Sequence, residues 1–240
     1  MLAWWTYRFE DFLLFSPRVY WRLFELHNAA VWPFQLPALL LGAAILLCIL
    51  RPRPWSDRAV SIILAAAWVS VAWGFLWARY TTINWAAAYA VPPFLAEALL
   101  LFVIGGLGGR LRFAANRTVP GVVGLALFLY ALVLHPLVAP FAGRPIAAAE
   151  LVGIAPDPTA IATLGLVSIG AGAAAAWLLL AVPLAWCVLS WATLYAMNAP
   201  EAWIPLAAAG LAVAARLLPS IGQRTSRDGR RRPQSHRPGP

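Results

Sequence analysis

The stretch "AVPPFLAEALLLFVIGG", residues 90–106, decides the fold class, because it is almost wholly apolar over nearly the length of a membrane-spanning helix. Such a helix needs about 20 apolar residues, and the apolar run extends over residues 86–109. Its middle carries one carboxylate, Glu97. A charge at the bilayer centre costs about 2.5–3.5 kcal/mol on the insertion scale, so ionisable residues there usually face the bundle interior or a wet cavity. The stretch predicts a spanning helix with one inward-facing acid.

The composition of the whole chain also indicates a membrane protein. The 240 residues are 62% hydrophobic and 11% charged, with a mean hydropathy of +0.75, whereas a soluble domain has about 25% charged residues. Every basic residue is Arg, which excludes a Walker-type phosphate loop and a retinal Schiff base, since both need Lys. Cys48 and Cys187 both lie in apolar runs, which favours buried thiols over disulfides.

Apolar segments along the chain predict an all-α integral membrane protein with about seven transmembrane helices. An uncharged stretch about twice the length of one span is divided near "GAGAAAA", residues 170–176, because Gly favours a turn. The fifth helix is then short, and it either tilts, re-enters the same side of the membrane or crosses only part of it. The predicted helices are 30–50, 59–79, 86–109, 119–139, 157–171, 174–196 and 200–218.

The charges between these helices predict their orientation. Arg-rich segments at residues 51–58, at 110–117 and after Arg216 alternate with segments that carry most of the acids. Cytoplasmic loops carry an excess of Arg. The chain is therefore predicted to lie in the cytoplasmic membrane with its N-terminus outside and its C-terminus in the cytoplasm.

The chain divides into three parts. Residues 1–29 mix charges with aromatic residues and form an amphipathic segment, which either lies on the membrane interface or packs over the bundle as a cap. Residues 30–218 form the bundle. Residues 219–240 are Arg-rich and polar, which predicts a disordered cytoplasmic tail that contacts anionic lipid head groups rather than nucleic acid.

Two segments of the bundle are similar to each other. "AVWPFQLPALLL" (30–41) and "AVPPFLAEALLL" (90–101) match at eight of twelve positions, and each precedes an Arg-x-Arg loop. The match predicts a tandem repeat of helical hairpins.

Polar side chains gather in the predicted outer half of the membrane and suggest an outward-facing pocket. Glu97 is either a proton, cation or substrate contact or a neutral acid that joins two helices through a hydrogen bond. Several others also have structural explanations, as helix caps or as partners of carbonyls freed by proline. The candidate pocket residues are Glu97, Tyr130, His135, Asn84, Gln35, Asn28, His27 and Thr159.

No catalytic motif is visible in the sequence. There is no Ser/His/Asp order, paired catalytic carboxylate or Gly-rich phosphate loop, and the histidines lack a metal-ligand spacing. We therefore predict no catalytic residue, cofactor or metal. Gly105 and Gly109, at GxxxG spacing, favour close helix approach instead.

Five motifs, taken in order, resemble a bacterial family of small multi-pass membrane proteins that is known only as a domain of unknown function. They are "HNAAVWPFQ" (27–35), "INWAA" (83–87), "RLRF" (110–113), "LYALVLHPL" (129–137) and "PDPTAIATLG" (156–165). The resemblance implies a membrane location and this architecture, and it brings no activity. "PDPT" departs from a "PCPT"-like form, which argues against a metal or redox loop.

These observations lead to a permease-like protein with an outward-facing pocket for a small solute or a proton. The alternative is a non-catalytic accessory subunit that packs against a partner protein or another copy of the chain, and a membrane-embedded enzyme comes third.

Overall fold

The computed structural model describes residues 14–170 and 173–218, and every regular element in that part of the chain is a helix. Eight helices follow one another, and several of them contain short π-helical or 3-10 segments. They are α1 (Pro17–Ala30), α2 (Gln35–Leu50), α3 (Ser56–Thr82), α4 (Trp85–Leu107), α5 (Val119–Phe141), α6 (Pro156–Gly170), α7 (Ala173–Ala196) and α8 (Trp203–Leu217).

Helix α6 lies at the centre of the bundle. All of its residues from Pro156 to Ile169 are buried, and it packs against α3, α5, α7 and α8. A helix that is apolar on every side is expected to be surrounded by other helices. Around α6, contacts join α2 to α3, α3 to α4, α4 to α7, α7 to α8 and α8 to α5. Gly42 of α2 lies against Leu132 of α5 and completes the ring.

Small residues allow α5 and α6 to cross at backbone contact distance. A Cβ atom on Gly165 would lie 2.5 Å from the carbonyl oxygen of Gly124 and 2.8 Å from the amide nitrogen of Phe128. Neither neighbour is a flexible side chain, so only glycine fits this crossing without moving a helix.

Helices α2–α8 alternate in direction and give the bundle two chemically different ends. One end, which we call the arginine end, carries residues 51–55 and 108–118. There Arg112 N–H donates to Gly170 O at 3.2 Å, and Phe113 N–H donates to Asp57 Oδ1 at 2.8 Å. The other end, which we call the acidic end, carries residues 142–155 and 197–202 and includes Glu150 and Glu201.

Length and apolar composition make four helices able to cross a membrane: α3, α4, α5 and the Ala175–Ala196 part of α7. A fifth span arises if α1 and α2 count as one, but they are bent by 91° at residues 31–34. Helices α6 and α8 have 15 residues each, about 22 Å at 1.5 Å per residue, less than the 30 Å of a bilayer core. The described residues are therefore all-helical with four or five candidate spans, and seven spans stay a prediction.

Two details differ from the sequence expectation. The first predicted helix begins at residue 30, whereas α2 begins at Gln35 because residues 31–34, which include Pro33, form a turn. Helices α3, α4 and α5 also contain π-helical segments. The segment in α5, Tyr130–Leu134, directly precedes the His135–Pro136 step, where the proline lacks an amide hydrogen for the helix.

The amphipathic segment is described from Leu14 onward, and the Arg-rich tail at 219–240 lies outside the described residues. Helix α1 buries Tyr20, Leu23, Phe24 and His27. The Phe24 and Phe75 rings lie 4.8 Å apart, so α1 packs over α3. Helix α2 is regular, whereas α4 has 3-10 and π-helical ends, and the tandem hairpin repeat stays a prediction.

Candidate functional site

A cavity of about 460 Å³ lies between the first half of α4 and the second half of α7, and we call it the α4–α7 groove. Tyr20 of α1 and Tyr80 of α3 contribute to its wall. The remaining lining residues are Asn84, Ala86, Ala87, Tyr89, Ala90, Pro93, Phe94, Ala181, Val182, Ala185, Trp186, Leu189, Ser190 and Thr193.

The groove is polar at one end and apolar at the other. Helix α4 begins and α7 ends at the acidic end of the bundle, so Asn84 and Thr193 lie near that end. Pro93 and Ala181 lie deeper, toward the arginine end. The α7 segment from Ala181 to Thr193 rises about 18 Å at 1.5 Å per residue. The groove therefore suits a molecule with a polar head and an apolar body.

A buried carboxylate stands directly behind the polar part of the wall. Asp157 of α6 is 5% exposed. Its Oδ1 accepts a hydrogen bond of 2.7 Å from Trp186 Nε1–H, and its Oδ2 accepts one of 2.6 Å from the Ser190 hydroxyl. Both donors line the groove. Each carboxyl oxygen of Asp157 therefore has one hydrogen-bond partner in the groove wall.

A second polar cluster lies beside α5 at the acidic end. His135 Nε2 is 3.9 Å from Glu150 Oε2, and both side chains are buried. The rings of Tyr130 and His135 meet edge to face at 5.7 Å. The Tyr130 hydroxyl and both His135 nitrogens have no hydrogen-bond partner among the described residues. The structure thus brings Tyr130 and His135 together, as one part of the predicted pocket requires.

An ion pair joins two loops at the same end of the bundle. Arg144 pairs with Glu201, and the side chains are 10% and 9% exposed. The Arg144 guanidinium carbon also lies 3.4 Å from the centre of the Trp21 ring. This cation–π contact ties α1 to residues 142–155.

Glu97 lies apart from that cluster. Glu97 is 0% exposed on α4, and α4 packs against α3 and α7. The Tyr130–His135 cluster lies on α5, which packs against α6 and α8. Neither of its carboxyl oxygens has a hydrogen-bond partner among the described residues, so the hydrogen bond between two helices considered from the sequence is not seen there. Phe94, one turn earlier, lines the groove, and Glu97 itself does not.

Three of the other predicted pocket residues lie in three separate places. Asn84 lines the groove, and its Oδ1 accepts from Ala86 N–H at 3.0 Å as a helix cap. Thr159 accepts from Gly153 N–H at 2.8 Å and donates to Ala155 O at 2.7 Å, which is a local structural role. His27 is buried with its ring 5.3 Å from that of Phe75.

Asn28 and Gln35 hold the turn between α1 and α2. Asn28 Nδ2 donates to Ala147 O at 2.7 Å and to Ala149 O at 2.8 Å. Gln35 Nε2 donates to Asn28 O at 2.6 Å. Asn28 fastens the turn to residues 142–155, and Gln35 closes the turn itself. Neither residue lines the groove.

Apart from Asn84, sequence reasoning missed the residues that line the groove. Trp186 and Ser190 are four residues apart on α7, but Tyr20 and Tyr80 come from helices far away in the chain, so no sequence spacing links the whole set. Asp157 carries a usable sequence signal, since it is the last charge before an uncharged stretch that runs to Pro200. It is the first residue of the predicted fifth helix, and the structure places it in the first turn of the central helix α6.

The comparisons with known proteins identify a family. The model of a family of unknown function, DUF6064, matches residues 17–227. The match covers most of the chain, and the chain therefore belongs to this family, which confirms the expected membership of an uncharacterised family. Neither the curated proteins nor the solved structures include a match to the chain.

Proposed function

We propose that this chain is a permease-like membrane protein that crosses the bilayer with seven helices, α2–α8, and binds a small solute in the α4–α7 groove. The observation that carries the proposal is the groove itself. It combines an apolar depth with a polar end at the acidic end of the bundle, and its wall is built from four helices. Ligand sites in membrane and soluble proteins share this combination of apolar walls and a few placed polar groups.

The surface of the bundle supports the membrane placement. Exposed aromatic side chains concentrate toward the acidic end, and Trp and Tyr are enriched where a protein meets the membrane interface. They are Trp32, Phe34, Trp73, Trp77, Trp85, Tyr89, Phe141, Tyr195 and Trp203. The arginine end carries Arg51, Arg53, Arg110, Arg112 and Arg117, which favours that end as the cytoplasmic one.

The short central helix is compatible with seven crossings. Helix α6 is enclosed by its neighbours, so its ends meet protein rather than lipid. Irregular backbone at membrane depth is tolerated where protein covers it. The bilayer length requirement is therefore relaxed for α6. The outer helices α2 and α8 have 16 and 15 residues and would cross with local thinning of the bilayer around them.

An accessory subunit remains the second candidate, and the small-residue seams argue against it. Such a subunit would present these seams to a partner protein. Instead, a Cβ on Gly105 would lie 2.6 Å from Ser61 Cβ and 2.9 Å from Leu111 Cδ1. Gly124 and Gly165 face each other inside the bundle. These seams are used within the chain.

Native mass spectrometry of protein purified from membranes tests solute binding. Ala185→Trp fills the groove from α7, whereas Val188→Trp places the same side chain at an exposed position of α7 that does not line the groove. We expect a bound small molecule of defined mass on the wild type and on Val188→Trp, and its loss from Ala185→Trp. The same bound species on all three proteins, or none on any of them, would overturn the proposal.

A further inference from the structure

We propose that the α4–α7 groove binds an alkylammonium cation, with the charged group at its aromatic, polar end. This inference rests on the proposed solute binding and adds the chemical class of the ligand. It follows from two independent features of the groove, its aromatic wall and the carboxylate behind that wall.

Aromatic side chains line the groove from its polar end to its depth. Tyr20 and Tyr80 meet edge to face with ring centres 5.8 Å apart. Phe94 and Trp186 meet edge to face at 5.0 Å. Tyr89, which is 72% exposed, lines the mouth. Aromatic faces attract ammonium groups through the ring quadrupole, and a cage of several rings is the usual site for alkylated ammonium ligands.

The negative charge of the site comes from α6 and the loop before it. Asp157 accepts hydrogen bonds from Trp186 and Ser190, so only one side chain separates the carboxylate from the groove. The pKa of the Tyr20 hydroxyl in the groove wall is raised, mainly by burial and in part by the negative charges of Asp157 and Glu150. Charge–charge attraction falls slowly with distance in a low-dielectric interior, so these acids favour a cation in the groove.

Basic groups do not offset this charge at the wall. The residues that the structure places around the groove include neither Arg nor His. Two buried basic groups at this end of the bundle lie beside acids of their own: Arg144 pairs with Glu201, and His135 Nε2 is 3.9 Å from Glu150 Oε2. An anionic ligand would meet the Asp157 carboxylate without a basic side chain in the groove wall, and a neutral ligand would gain nothing from that charge.

The ammonium group has two sources: a free organic cation, or the head group of a lipid that enters the groove from the side. Ala185 and Tyr89 are exposed and line the groove, so the groove is open at its surface. Both sources share the chemistry that the aromatic wall recognises. The composition of the bilayer in the test separates them.

Binding of choline to purified protein in phosphatidylglycerol nanodiscs, measured by calorimetry, tests the inference. The control ligand is 3,3-dimethylbutan-1-ol, which replaces the nitrogen of choline by carbon and carries no charge. We expect the Kd for choline to be at least tenfold lower than that for the alcohol. A lower apparent affinity in phosphatidylcholine nanodiscs indicates the lipid head group as the source, and an unchanged one indicates a free cation.

Two variants locate the binding. Asp157→Asn should remove the preference for choline over the alcohol. Tyr89→Leu should weaken choline binding about two- to fivefold, as expected for one exposed cation–π contact, and Tyr89→Phe should not. Because the Tyr89 side chain is largely exposed, its variants report on binding even if Asp157→Asn does not fold.

The outcomes separate this inference from the proposed function. Equal binding of choline and the alcohol would overturn the cation inference and leave a solute-binding groove. The cation inference would also be overturned, and a solute-binding groove retained, if choline did not bind while native mass spectrometry showed a bound species that Ala185→Trp removes. No binding of either probe, and no species that depends on the groove, would overturn both.

Discussion

Gly165→Ala tests the packing at the centre of the bundle. The added Cβ would lie 2.5 Å from Gly124 O and 2.8 Å from Phe128 N, whereas a relaxed carbon contact is about 3.5 Å. Helices α5 and α6 must therefore separate by about 1 Å, because neither contact is to a side chain that can rotate away. Overpacking of this kind costs about 1–3 kcal/mol, and we expect the upper part of that range.

A matched control removes the contribution of helix propensity. Ala stabilises a helix by about 1 kcal/mol relative to Gly, which would mask part of the effect. Gly210 of α8 is exposed, and a Cβ there meets nothing within 4 Å. The difference between Gly165→Ala and Gly210→Ala therefore isolates the steric cost of the crossing.

Reversible unfolding in mixed micelles with increasing SDS, followed by circular dichroism, gives the two free energies. We expect Gly165→Ala to be less stable than Gly210→Ala by about 2–3 kcal/mol. Adding Gly124→Ala to Gly165→Ala should cost less than the sum of the single changes, since the helices are already separated. Equal stability of Gly165→Ala and Gly210→Ala would refute the close backbone crossing.

Three further predictions concern buried polar groups. Glu97→Leu should raise the free energy of unfolding by about 1–3 kcal/mol in SDS titrations, because both carboxyl oxygens lack partners among the described residues. If Glu97→Leu were instead less stable than Glu97→Gln, the acid would have a hydrogen-bond partner. Thr163→Val should lower it by about 1–3 kcal/mol, since Trp68 Nε1–H loses its 2.8 Å acceptor, and Thr163→Ser should restore it. Arg144→Met should lower the free energy of unfolding by about 3–5 kcal/mol, because it leaves Glu201 buried and unpaired. The double variant Arg144→Met with Glu201→Leu should recover most of that loss in the same assay.

The helices themselves could be predicted because their signals are local. Long apolar runs mark α3, α4, α5 and α7, and the break at "GAGAAAA" falls close to the end of α6 at Gly170 and the start of α7 at Ala173. The central position of α6 has a weaker sequence signal. Its lack of an amphipathic face indicates burial but does not say which helices surround it.

The candidate site was less predictable because it depends on tertiary contacts. Tyr130 and His135 are five residues apart on one helix, and the structure brings them together. The sequence indicates Glu97 as a pocket residue because it is an acid in an apolar run, but the donors in the groove wall, Trp186 and Ser190, bond to Asp157 instead. Asn28, Gln35 and Thr159 bond to backbone groups, which a sequence cannot distinguish from ligand contacts.

Cysteine labelling at two positions tests the central claim that α6, together with α3, α4, α5 and α7, crosses the membrane. Arg53 lies between α2 and α3, Pro200 lies between α7 and α8, and both are exposed. The natural thiols, Cys48 and Cys187, are buried and would be replaced by Ala. Five helices, including α6, separate the two positions. We expect a membrane-impermeant maleimide to label Pro200→Cys on intact cells and Arg53→Cys only after permeabilisation. Labelling of both positions from the same side would contradict the seven-helix account, because an even number of helices would then cross between them.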